Sequence, residues 1–197
     1  MLIRIVAILS LTLSASVLAD AGSGDFMGCQ LGGRYQRDSA TSQQVTTTGN
    51  LIILAAQPVK PGDIAEVSLL TTPSTLTIGN ITASQWFLTE EEGREFARKY
   101  FKLLRARYPG WSYGSEVMDA RMNIVEVSFR ESPYDLWLRL TKDVHEGKDM
   151  WRFSMTLRWL PDSAQGRAWR ALSGDEQVAA KKDADQLLLK GSDLRGI

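Results

Sequence analysis

The stretch from Asn123 to Leu160 constrains the fold more than any other part of the chain. Three segments in it, Asn123 to Arg130, Asp135 to Asp143 and Met150 to Leu160, alternate apolar and polar residues with a period of two. Successive side chains of a strand point to opposite faces, so each segment reads as a β-strand with one face turned to a core. The links between them, Glu131-Ser-Pro-Tyr134 and Val144-His-Glu-Gly-Lys148, are short enough for hairpins but not for crossovers. An antiparallel meander follows. Its apolar face combines Val125, Val127 and Phe129 with Leu136, Leu138 and Leu140, and with Phe153, Met155 and Leu157. That face needs a covering layer.

Helices are expected to supply it. Thr89-Glu-Glu-Glu92 is a capping box, in which hydroxyl and carboxylate each satisfy an orphan amide at a helix start. The helix it opens should end before Pro109-Gly110, with Phe96, Ala97, Tyr100, Phe101, Leu104 and Tyr108 on one face. Ser173-Gly-Asp-Glu176 reads as a second capping box, opening a helix that runs to about Lys190 and stops at Gly191. Upstream, Leu51 to Leu54, Ile64 to Leu70 and Thr75 to Ile78 are β-prone runs punctuated by Pro58, Pro61-Gly62, Pro73 and Gly79-Asn80. A further strand from Ser112 to Asp119 leads into the meander. The fold class is therefore α+β: an antiparallel sheet of about six or seven strands packed against two main helices. This order of elements is similar to that of PsbP-like domains, which pack an antiparallel sheet against helices. The likeness is one of topology and transfers no site.

The N-terminus reads as an export signal. Arg4 precedes an uncharged run, Ile5 to Ala19, rich in Ile, Leu, Val and Ala, and Val17 and Ala19 suit a signal peptidase pocket. Residues 1–19 are expected to be removed after Ala19, with cleavage after Ala21 as the alternative. The run is shorter than a membrane-spanning helix, and no later segment approaches that length. Residues 20–46, dominated by Gly, Ser, Thr and Gln, read as a flexible arm, and 47–197 as a single domain. The expected compartment is the periplasm, or outside the cell.

Composition narrows the function by exclusion. Without Arg4 the chain has 22 basic and 23 acidic residues, a balance unlike that of a general nucleic-acid binder. Cys29 is the single cysteine and His145 the single histidine, so conventional zinc sites lack their ligands and a serine triad would need a turn histidine as its base. No cofactor motif is present, and none is expected to bind. A hydrolase working through Asp and Glu stays open, because the spatial pairing of carboxylates is not written in a sequence.

The meander's polar face offers a sharper reading. Alternation places Glu126, Ser128, Arg130, Trp137, Arg139, Thr141, Arg152, Ser154, Thr156 and Arg158 on it. Arg130, Arg139, Arg152 and Arg158 around Trp137 form a candidate surface for an acidic partner or an anionic ligand, because Arg pairs with carboxylates and stacks on rings. The competing reading is a solvated sheet face whose charges satisfy one another. If the hairpins close with Asp143 opposite Met150 and Arg130 opposite Asp135, then Glu126 faces Arg139 and Asp135 faces Arg158. Arg94, Arg98, Lys102 and Arg105 make a second candidate patch along the first helix, suited to an anionic envelope surface or to the helix dipole. Trp86, Trp111 and Trp169 fall near element ends and are expected to seal core edges. The function these features favour is a non-catalytic, exported protein that binds another macromolecule in the cell envelope, as an adaptor or inhibitor. The alternatives are an Asp/Glu-dependent hydrolase and a binder of a small anionic or lipidic ligand.

Overall fold

A computed structural model describes residues 24–36, 43–55, 60–114, 117–119 and 124–193. The expected signal peptide, 1–19, and its cleavage point after Ala19 lie outside the described residues. Along the chain run β1 (Asp25–Phe26), β2 (Cys29–Gln30), β3 (Gln43–Val45), β4 (Leu51–Leu54), β5 (Glu66–Thr71), β6 (Ile78–Phe87), α1 (Glu90–Arg107), β7 (Ser112–Tyr113), β8 (Val117–Asp119), β9 (Ile124–Glu131), β10 (Tyr134–His145), β11 (Lys148–Trp159) and α2 (Ala164–Asp193). Among the described residues, β1 and β2 pair with each other. The remaining strands form one antiparallel sheet in the order β3-β4-β5-β6-β11-β10-β9-β7, with β8 also paired to β9. The architecture is the expected α+β arrangement, with more and shorter strands at the sheet edges.

The meander has the register its charges require. Asp143 lies opposite Met150, Asp135 opposite both Arg130 and Arg158, and Glu126 opposite Arg139. The hairpin between β10 and β11 turns through Glu146 and Gly147, whose φ angles of 50° and 76° are those of a two-residue turn matched to strand twist. One sheet face carries Val67, Leu69, Ile81, Ala83, Phe129, Leu136, Leu138, Leu140, Phe153, Met155 and Leu157 into a single core. Tyr100 and Leu104 of α1 close over it, and Phe96 packs edge-on against Phe153 at 5.1 Å between ring centres. The Thr89–Glu92 capping box forms, with both reciprocal hydrogen bonds made. Gly93 lets α1 approach the sheet, since a Cβ there would lie 2.7 Å from the Leu140 side chain.

Three local expectations are corrected by tertiary contacts. Gly79-Asn80 is no turn: β6 runs straight through it. The glycine is there because the Trp169 ring occupies the space of its missing side chain, 2.1 Å from where a Cβ would stand. Thr72 to Thr77 turns instead, held by the Thr77 amide on the Thr72 hydroxyl at 3.1 Å.

The second capping box does not open a helix either. α2 begins ten residues earlier, at Ala164, where the Ser163 hydroxyl accepts from the Gly166 amide at 2.9 Å. Ser173 and Glu176 lie inside the helix and are buried. Glu176 reaches across to accept from the Ser74 amide at 2.8 Å, the Thr75 amide at 3.0 Å and the Thr75 hydroxyl at 2.5 Å. Ser173 donates to the Asn50 side chain at 2.8 Å, which Gln177 also contacts at 2.9 Å. These groups fasten α2 to the turns that begin β4 and precede β6.

The segment expected as a flexible arm contributes to the core. Phe26 and Met27 are fully enclosed and Leu31 nearly so. Their loop is tied to the start of β6 by the Gly32 amide on the Ile78 carbonyl at 2.8 Å and the Tyr35 amide on the Leu76 carbonyl at 3.0 Å. A few apolar anchors in a polar stretch suffice when they enter an existing core.

Candidate functional site

Because α1 covers one face of the sheet, the polar side chains of the alternating strands are left on the other. No residue of α1 or α2 is among the described residues that line the concavity on this second face. A trough of about 740 Å³ runs across it from β3 to β10. Ile52, Leu54 and Leu70 make one apolar flank, Trp86, Arg139 and Arg152 stand at the other, and Thr82, Ser154 and Thr156 line the middle. Ile52 and Leu54 are 39% and 43% exposed, enough apolar surface to reward a partner that covers them.

Trp86 sits in this trough, not at a core edge. Its ring stacks on His145 at 4.2 Å between centres, and the Arg152 guanidinium lies 5.4 Å from it. The indole nitrogen is enclosed and finds no acceptor among the described residues. Arg152 itself is held by a neutral group, donating to the Ser84 hydroxyl at 3.0 and 3.2 Å, with the Asp143 carboxylate 4.0 Å away. Its charge is thus only loosely compensated.

The other arginines of the first candidate surface are committed to the sheet. Asp135, 1% exposed, accepts from Arg158 at 2.9 Å, from Arg130 at 3.3 Å and from the Trp137 indole at 2.6 Å. The Arg158 guanidinium also lies over the Trp137 ring, 3.6 Å from its centre. Arg139 pairs with Glu126. Trp137, Arg130, Arg139 and Arg158 therefore form an internally satisfied network beside the trough, from which Arg139 alone reaches its lining. Arg152 is the one arginine of the set that combines a place in the trough with a weak acidic partner.

On α1, Arg94 pairs with Glu90 at 2.6 Å, Arg98 lies 3.9 Å from Glu91, and Arg105 sits over the Tyr113 ring at 4.9 Å. Lys102 is exposed on the same helix. A hydrolase working through Asp and Glu would need converging carboxylates, and Glu126 on the polar face is held by Arg139.

Groups with displaced protonation equilibria lie away from the trough. Burial pushes the Cys29 thiol up, which suits a packing role. Burial also opposes ionisation of Asp63, but hydrogen bonds from Lys99 at 2.5 Å and Tyr100 at 2.7 Å outweigh it and hold the carboxyl below its usual range. Tyr100 is raised by burial and by that same carboxylate. This pair staples α1 to the loop before β5.

No protein-family model, curated protein or solved structure matches the chain. What the site can do therefore rests on its own residues.

Proposed function

We propose that this is an exported, non-catalytic protein that binds another protein in the cell envelope, as an adaptor or an inhibitor, through the open face of its sheet. The trough of about 740 Å³ carries this reading. Its middle is lined by the hydroxyl side chains of Ser68, Thr82, Ser154 and Thr156, with apolar groups on one side and Trp86 and Arg152 on the other, and its lining also includes the carboxylates Glu66 and Asp143. Aromatic residues and arginine at a concave, partly apolar surface are what desolvated protein interfaces favour. The occupant that fits is a protein segment with apolar side chains to cover Ile52, Leu54 and Leu70, and a carboxylate to complete the partnering of Arg152. Residues 1–19 support placing this activity outside the cytoplasm.

The test is native mass spectrometry of the protein purified from its own compartment. Wild type should carry a protein of defined mass, and the Leu54→Asp/Arg152→Glu variant should not while still unfolding as a single cooperative transition. Retention of the same partner by a folded double variant would overturn the reading.

A further inference from the structure

A second concavity lies on the opposite side of the sheet, at the end of the core. It measures about 510 Å³ and opens between α1 and strands β9 and β10. Ala97, Phe101, Val127, Leu138 and Leu140 line it, so its body is hydrocarbon. Protein interiors are packed with few voids larger than a water molecule, and this volume falls within the range of small-molecule sites.

Its remaining described lining includes three arginines and no carboxylate: Arg94 and Arg98, one helical turn apart on α1, and Arg139, whose guanidinium is committed to Glu126. Arg94 is already bonded to Glu90. Arg98 is different: its side chain is 64% exposed, and Glu91 is 3.9 Å away and 73% exposed. Such a pair contributes little and exchanges readily for a better anion. A planar guanidinium beside an apolar cavity selects a ligand with an anionic head and a hydrocarbon body. Arg105, over the ring of the lining residue Tyr113, adds positive potential at the same end.

We infer that this cavity binds a free, single-chain amphiphile of the fatty-acid class, its chain among Ala97, Phe101, Leu138 and Leu140 and its carboxylate on Arg98. Of its described lining only Arg139 also borders the trough, and the inference does not depend on the reading given for that face. Two ligand properties should then govern affinity independently. Chain length acts through burial, at about fourfold per methylene, so decanoate should bind about fifteenfold more tightly than octanoate. The head acts through Arg98, so decanol should bind about tenfold more weakly than decanoate.

Calorimetric titration of the mature protein with octanoate, decanoate and decanol, each kept below its micellar concentration, tests this. Arg98→Gln should weaken decanoate about tenfold and leave decanol unchanged. Ala97→Leu, which fills the cavity, should weaken both, whereas Arg152→Glu in the trough should change neither. A parallel sedimentation assay with phosphatidylglycerol vesicles distinguishes a bilayer from a free amphiphile. Vesicle binding lost in Arg98→Gln without any binding of free decanoate would overturn the cavity assignment in favour of headgroup contact. Decanoate binding indifferent to both Arg98→Gln and Ala97→Leu, or absent altogether, would overturn it as well.

Discussion

The Asp135 carboxylate accepts the indole proton of Trp137 at 2.6 Å, from a position two residues earlier on the same strand. The aromatic residue that stands out most on the sheet's polar face thereby has its polar handle occupied by its own strand. Asp135 is enclosed by Arg158 and Arg130 as well, so one carboxylate orders three cationic or aromatic side chains. Replacing Asp135 by Ala should destabilise the fold by about 3 kcal/mol, because it leaves the Trp137 N–H and Arg158 without their acceptor. Urea unfolding measures this. Trp137→Phe, which removes a single hydrogen bond, should cost about 1 kcal/mol, and the double variant should fall short of the sum of the two.

Glu176 should make stability fall in acid. Burial alone would raise its pKa, but the hydroxyl of Thr75 and the amides of Thr75 and Ser74 outweigh it, so the folded-state value is depressed. A depressed carboxylate contributes stability that is complete above its unfolded value, about 4.3, and is lost as pH falls through the folded value. Glu176→Gln should lose about 2 kcal/mol at pH 7 and show a flatter acid limb than wild type below about pH 4. Unfolding free energies measured across that range check the sign; an unchanged acid limb would remove Glu176 from the account.

Gly79 and Trp169 form a lock between β6 and α2. Gly79→Ala would place a Cβ 2.1 Å from the indole ring and should cost about 3 kcal/mol. Combined with Trp169→Ala, which clears the space, the glycine substitution should cost less than about 1 kcal/mol further. A double-mutant cycle by thermal unfolding measures the coupling.

Trp86→Phe separates folding from binding. The indole nitrogen is enclosed without an acceptor among the described residues, so removing it should leave stability within about 1 kcal/mol of wild type, while Phe keeps the stacking on His145. Partner capture should weaken, because the trough loses half of an aromatic flank. Thermal melting and the native-mass comparison, run side by side, check the two halves of this prediction.

The meander was legible in the sequence down to its register. A strict period of two fixed which side chains faced the core, and two short links left one way to align Glu126 with Arg139 and Asp135 with Arg158. α1 was equally legible, because Thr89 and Glu92 satisfy each other locally. Features decided by distant contacts were not. Gly79 resembles a turn residue until Trp169 is known to lie against it, and Ser173 and Glu176 resemble a helix start until Asn50 and Thr75 are seen to claim them. Phe26 and Met27 were visible as isolated apolar residues, but their entry into the core depends on the loop docking against Leu76 and Ile78. The trough was missed for the same reason: it is made of side chains brought together from strands as far apart in sequence as β3 and β10. Trp86 could have been found by extending the alternation of Ile81 and Ala83 through to Phe87.

A photo-crosslinking amino acid placed at Ser154, in the middle of the trough, reports whether a partner occupies the open face of the sheet, with the same probe at exposed Lys102 on α1 as the control. Irradiated in its own compartment, the Ser154 variant should yield one covalent adduct with a protein of defined mass, absent from the Lys102 variant and lost when Leu54→Asp and Arg152→Glu are added. The same adducts from both positions, or none from Ser154 in a folded protein, would contradict a partner bound on the open face of the sheet.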